Sequence, residues 1–295
     1  MMAIFLPLLL PLLGAAVVLF CKERKPATRV ALAGGALELA AIGNLVWVIH
    51  ATSGEIGGRY LRADGLTSFF LVNIAVVFGL VLIYSTGYLR HIPEGRFSSP
   101  RWFYSLLFLS LFTMIAVYLA GNLGLMWIFV EATTLASALL VGFYNTEGAV
   151  EAGWKYLIVC TVGIAFALLG TITLYLAAVR SGVSPESALD WTSLMSAAHR
   201  FGAAADLVKM AFVFVTIGYG TKIGFVPMHS WLPDAHAEAP SPISAMLSAV
   251  LLNCALYALL RFDAITSRAI GTGFPHTLLL VFGSLSVVVA AFLMV

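Results

Sequence analysis

The chain has 295 residues, of which 61% are hydrophobic and only 10% charged, with a formal net charge of +2. Soluble domains carry about 25% charged residues, so a soluble globular protein is excluded in favour of a polytopic membrane protein, and no basic arm calls for nucleic acid. Three cysteines, Cys21, Cys160 and Cys254, lie far apart with no C-x-x-C, which leaves a disulfide scaffold, a zinc site and iron–sulfur ligation without support.

A spanning helix needs roughly 20 mostly apolar residues. On that measure the predicted spans are 3–20, 30–50, 66–88, 103–120, 123–144, 154–179, 207–226, 243–261 and 276–295. These runs are continuously apolar and lack the alternation of barrel strands, so the expected fold class is an all-α transmembrane bundle. The first run has no basic residue before it and is followed by "CKERK", an order that fits a retained span and not a cleaved signal peptide. Lys22, Arg24, Lys25 and Arg29 follow span one, and Arg90, Arg96 and Arg101 follow span three. The positive-inside rule makes both loops cytoplasmic and sets the N-terminus outside, although Arg59, Arg62, Arg180 and Arg200 on the other side leave the bias modest. Trp47, Trp102 and Trp154 sit near span ends as interfacial belt residues. The polar 180–206 segment has room for a short amphipathic helix on the outer face. The last run reaches Val295 without a polar flank, and the expectation is a fragment or a protein completed by another chain.

Two ionisable residues stand inside apolar runs. Glu131 lies in "GLMWIFVEATTLASALLVGF", where an acid costs on the order of 2.5–3.5 kcal/mol and is by default functional; a structural ion pair is the alternative. Lys222 lies among Gly218, Gly220 and Gly224, with Pro227 just beyond. That grouping predicts a helix broken between Gly218 and Pro227. A lysine there can exchange its proton as a carboxylate moves towards or away from it, and Glu131 is the obvious partner, expected at ion-pair distance directly or through one water. Snorkelling to the cytoplasmic surface is the alternative. His229, Asp234, His236 and Glu238 follow; histidine can hand protons between bulk water and a buried site, and water is expected to reach Lys222 past His229. For Asp234 and Glu238 a solvated loop is the simpler reading. Lys155 opens the sixth span, as a snorkelling lysine or a relay member. Asn253 suits a helix–helix hydrogen bond.

The stretch "TKIGFVPMHSWLPDAHAEAPSPISAMLSAVLLNCALYALLRF" resembles the signature of the proton-translocating antiporter-like subunits of respiratory complex I, multisubunit sodium/proton antiporters and membrane-bound hydrogenases. "ADGLTSFFLVNIAVVFGLVLIYSTGYL" resembles their third helix and "GNLGLMWIFVEATTLASALLVGFY" their fifth. The resemblance implies a Glu131–Lys222 central pair, with Lys155 as the lysine at the start of the sixth helix. Where lysine-bearing members read L-L-K, this chain reads "LLN" with Asn253, like the hydrogenase-4 and formate-hydrogenlyase branch. A water chain past Asn253, Ser248 or Tyr257 then replaces a lysine-to-lysine relay. It also implies inverted repeats of five helices, each with a broken helix: three N-terminal helices in 1–102, a first repeat in 103–262, and the start of a second in 263–295. The implied setting is a prokaryotic plasma membrane. The implied partners are other membrane subunits and peripheral iron–sulfur and hydrogenase or dehydrogenase subunits, with protons or sodium as the transported ion and no cofactor of its own. A cation/proton antiporter subunit and a non-transporting anchor are the competing functions; the burial of Glu131 and Lys222 argues against the anchor.

Overall fold

The computed structural model describes residues 2–52, 54–91 and 99–293. The helices are α1 (Met2–Leu19), α2 (Arg24–Ala51), α3 (Gly65–Tyr88), α4 (Pro100–Leu119), α5 (Leu123–Val141), α6 (Glu147–Arg180), α7 (Trp191–Ala197), α8 (Ala205–Ile223), α9 (Leu232–Glu238), α10 (Ser241–Met246), α11 (Leu252–Ile270) and α12 (Gly273–Leu293). Among the described residues nine helical stretches are long and apolar enough to cross a membrane, each overlapping a predicted span; α7 with α8, and α10 with α11, each form one of them. The α10–α11 stretch contains a π-helical turn at Leu247–Leu251. Short polar residues start several helices. Asp64, Asn122 and Thr146 cap α3, α5 and α6 by accepting backbone N–H bonds, which satisfies donors that no lipid could.

Burial separates two apolar faces that composition cannot distinguish. On α3, Leu71, Ile74, Phe78 and Leu82 are buried, while Val72, Val76, Leu80 and Ile83 are exposed as a lipid-facing stripe. Trp47 and Trp154 are likewise exposed, as belt residues are. α4 is the central post, almost wholly buried between α1, α2, α3, α5 and α11. At one end of the bundle a two-stranded hairpin, β1 (Glu55–Gly57) with β2 (Arg62–Asp64), leads into α3. Its tight return needs Gly57: φ is +124°, and a Cβ would lie 2.3 Å from the Leu61 carbonyl oxygen. The polar 180–206 segment holds the short helix α7, packed on α11.

The most extensive helix pairing is α6 with α8, and it is a seam of small residues. A Cβ on Gly218 would lie 2.4 Å from the Ala167 backbone nitrogen, one on Gly170 2.7 Å from the Ala211 carbonyl oxygen, and one on Gly163 2.5 Å from Thr221 Cβ. In lipid, close backbone approach substitutes for the hydrophobic drive that water supplies. The helix ends between Gly218 and Pro227 as expected, but Gly218 itself packs in the seam and does not break it. Gly220 does not either; α8 runs through both, and the ring of Phe225 folds back within 2.7 Å of where a Gly220 Cβ would be. The helix ends at Gly224, in the left-handed region at φ +92°. Pro227 lies beyond that end, in the turn.

Gly218→Val should force α6 and α8 apart and destabilise the fold by about 1–3 kcal/mol. Thermal unfolding of the purified protein in detergent would show it as a lowered midpoint, with the exposed Gly43→Val, which has open space around its Cα, as an unaffected control.

Candidate functional site

The α6–α8 seam delivers Lys222, in the last turn of α8, to the flank of α5. The side chain is wholly buried. Its Nζ donates to the Val130 carbonyl oxygen at 3.1 Å and to Thr134 Oγ1, and stands 5.9 Å from the Tyr156 ring centre. Snorkelling is therefore excluded. Tyr156 continues the polar cluster through a 2.8 Å bond to Ser137 Oγ. Glu131, Cys160 and Cys254 are within electrostatic reach of the ammonium.

Of the two arrangements expected, direct or through one water, Glu131 does not make the direct contact with Lys222. Its Oε1 accepts from Thr161 Oγ1 on α6 at 2.7 Å, and its Oε2 is buried without a partner. The reason is helical: successive side chains project about 100° apart, and Lys222 lies on the Val130–Thr134 flank, so the Glu131 carboxylate points round the helix towards α6.

On the side of His229 the cluster around Lys222 is packed by aromatic rings. Trp231, which follows the broken end of α8, is fully buried. It donates Nε1–H to the Thr221 carbonyl oxygen at 2.9 Å and packs on Tyr156 with ring centres 4.7 Å apart. His229 is half-buried, and its Nδ1 has no partner. Lys155 meets Asp234 at 2.5 Å, both sides half-exposed; the pair ties α6 to α9 and stands apart from Lys222. Asp234 is thus an ion-pair partner and not simply a solvated loop residue. His236 Nδ1 lies 2.8 Å from Ser244 Oγ, and burial pushes its imidazole below the ordinary histidine value, so it stays neutral at neutral pH.

The remaining expected relay residues lie elsewhere. Asn253 Nδ2 donates to the Ala249 carbonyl oxygen at 2.7 Å and reaches Asn73 Oδ1 on α3 at 3.5 Å, as a helix–helix contact. Ser248 lies in the π turn with an exposed side chain, outside the cluster around Lys222. Tyr257 is buried, but its hydroxyl serves a network at the opposite end of the bundle from the α8–α9 break. It donates to the Tyr118 carbonyl oxygen at 2.9 Å, lies 3.1 Å from Thr67 Oγ1, and accepts from Arg261 Nη2 at 2.8 Å.

That network went unread in the sequence. Arg261 forks onto Asp64, with Nη1 to Oδ2 at 2.8 Å and Nη2 to Oδ1 at 2.6 Å, and stacks on Trp191 at 4.1 Å. It joins α3, α7 and α11. A donor and an acceptor of opposite charge, 197 positions apart, give no local sequence signal; an arginine inside an apolar run was the available hint. Glu38 was also missed. It lies in "GGALELAAIG", a buried acid inside α2, and the hint was the same one that singled out Glu131.

Residues 120–295 match the family described as NADH:quinone oxidoreductase/Mrp antiporter, TM. The chain belongs to this family. Among its relatives, the "Hydrogenase-4 component F homolog" of Methylacidiphilum infernorum is 42% identical over 237 residues, covering 76% of this chain and 48% of that protein. "NADH-quinone oxidoreductase subunit N" of Desulforudis audaxviator is 32% identical, covering 74% and 41%. The "Putative antiporter subunit mnhA2" of Staphylococcus aureus is 34% identical, covering 68% and 24%. The chain thus spans about half or less of the length of these relatives. A chain in the structure of the membrane-bound sulfane sulfur reductase, an archaeal respiratory membrane complex, superposes with a TM-score of 0.81 at 22% identity, over 96% of this chain and 57% of that one. At that identity the likeness shows the fold: a polytopic, antiporter-like helix bundle.

Asp64 supplies a pH prediction outside the spans. Burial pushes its carboxyl up, but the hydrogen bonds and charge of Arg261 and the Thr67 contacts outweigh this and hold it below the usual carboxylate range. An acid lowered on folding contributes stability above its unfolded value, and that contribution is lost as pH falls through the folded value. Melting temperature against pH should therefore fall below about pH 4 in the wild type. Asp64→Asn should melt earlier at neutral pH, by roughly 3 kcal/mol for a broken, largely buried pair, and show less of the acid decline.

Proposed function

We propose that this chain translocates protons, or sodium, as an antiporter-like subunit of a membrane redox assembly, with Lys222 as its central exchanging group and Glu131 as the charge that tunes it. The observation that carries the reading is a wholly buried lysine held by a hydroxyl, a backbone carbonyl and an aromatic face, without a carboxylate in contact. An ammonium at that depth has no structural ion pair to serve, and intramembrane ionisable groups of this kind mark ion pathways. Glu131 lies within electrostatic reach but not in contact, so small movements of α5 against α8 change the field on Lys222. His229 is the nearest expected donor on the side of the break, and opening of the Trp231–Tyr156 pair would connect it to Lys222. Lys155, paired with Asp234, would set the position of α9 during that opening. Helices α4 to α11 form the first repeat in this reading, after the three N-terminal helices, and α12 begins the second. The end bearing the α8–α9 break faces the cytoplasm and the N-terminus lies outside.

The higher identity to the hydrogenase-4 component F homolog than to the other relatives named supports a hydrogenase or complex I-like setting, with other membrane subunits and peripheral iron–sulfur and hydrogenase or dehydrogenase subunits as partners. Electron transfer in those partners would supply the energy. The antiporter relative favours a second reading, a cation/proton antiporter subunit driven by gradients alone; the proteins that copurify with the chain separate the two.

Lys222→Ala should abolish ion pumping in vesicles while the assembly still forms, and Glu131→Gln should do nearly the same because charge and not shape is required. Wild-type pumping by both assembled variants would make these residues structural.

A further inference from the structure

Glu38 has no role in that relay, and its surroundings are more extreme than those of Glu131. It lies in the middle of α2 on the buried stripe Ala31, Gly35, Glu38, Ala41 and Leu45. Its exposure is 0%, and neither Oε1 nor Oε2 has a hydrogen-bond partner. The helices packed against α2 are α1, α3 and α4. α1 and α3 contain no Asp, Glu, Lys, Arg or His, and α4 contains only Arg101, in its first turn. Glu38 therefore locks no helices together by an ion pair, and a carboxylate there would be an unsolvated charge. Such a group neutralises instead, so in this conformation it holds a proton.

The packing beside it also says how that proton is kept. One turn towards the start of α2, Leu82 sits where a Gly35 Cβ would be, at 2.1 Å, with Phe78 behind it, and the Phe108 ring fills the space at Gly34. These side chains seal the stripe between Glu38 and Thr28, which lines a cavity of about 550 Å³ opening among Arg24, Lys25, Arg29, Thr86 and Arg90. The seal is made of side-chain ends, while the stripe itself offers only Ala31 and Gly35. Withdrawal of Leu82 would open a path of small residues between the acid and that polar mouth.

We propose that Glu38 is a second proton-holding site of this chain, separate from Lys222, which releases its proton to water when the α2–α3 packing opens and takes one back when it closes. The exchange balances as carboxylic acid to carboxylate with the proton passed to water, and the reverse. A proton is the ion favoured, since a lone carboxyl with no polar partner can hold a proton by itself and offers a metal ion no further oxygen ligand. The proposal rests on the reading of the chain as ion-translocating.

The test uses the whole assembly in vesicles, with Glu38→Gln, Glu38→Leu and Lys222→Ala in parallel. Infrared difference spectra should show a carboxylic-acid C=O band at neutral pH that disappears in Glu38→Gln. In heavy water that band should shift during turnover and not at rest. Both Glu38 variants should assemble, since no partner is lost, and both should lose pumping. Absence of the band, a band that does not exchange during turnover, or failure of both Glu38 variants to assemble would overturn the site. Wild-type pumping in Glu38→Gln alongside a dead Lys222→Ala would overturn the Glu38 site alone. Wild-type pumping in Lys222→Ala would overturn the relay reading, whichever way Glu38 behaves.

Discussion

Gly218 has no room for a side chain against the Ala167 backbone, and the placement of Lys222 in the bundle follows from that contact. In lipid, two apolar helices gain nothing by hiding from solvent; they associate when their backbones come close enough for dense packing. Gly163, Ala167 and Gly170 on α6 and Ala211 and Gly218 on α8 provide that approach. The seam sets the rotation of α8, and the rotation carries Lys222 inward onto α5. A larger residue in the seam would turn the lysine away from Val130 and Thr134 without touching it.

Once there, Lys222 is held by neutral groups. Direct contact with a carboxylate would bind the charge tightly and oppose proton exchange, because breaking a buried pair is strongly unfavourable. Thr134 and the Val130 carbonyl satisfy two donors without fixing a counter-charge, and the Tyr156 ring offers a cation a favourable face. In the proposed relay Glu131, turned towards Thr161, would act through the low dielectric between the helices and not through a bond. The proposed relay needs this separation, since a partner at a distance can be moved by small amounts to large electrostatic effect.

The two ends of the bundle are tied differently. At the end bearing the hairpin, Asp64, Thr67, Tyr257, Arg261 and Trp191 form a buried knot across α3, α7 and α11, with Arg59 and Asn122 both bound to Asp190 nearby. At the end bearing the break, the ties are the half-exposed Lys155–Asp234 pair and the Tyr88–Tyr144 contact, with the Ser241 N–H also on Tyr88. A half-exposed pair holds less firmly than a buried bidentate one. The opening of the Trp231–Tyr156 pair in the proposed relay would fall on the side with these weaker ties.

Hydropathy by itself determined the fold class and the number of spans, because a helix that must satisfy its own backbone in lipid announces itself as a long apolar run. The same reasoning singled out Glu131 and Lys222, since a charge inside such a run stands out whatever surrounds it, and it could have singled out Glu38. The tertiary structure decided what composition leaves open. Glycine in a sequence reads equally as a breaker or as a packing surface, and only the neighbour decides: Gly218 and Gly220 pack, while Gly224, at positive φ, ends the helix. Which flank of α5 receives Lys222 depends on the rotation of α8, a property of the seam and not of either helix alone. The partners of Asp64, Lys155 and Tyr257 lie on distant segments, and no local pattern encodes a pairing that exists only once the helices are assembled.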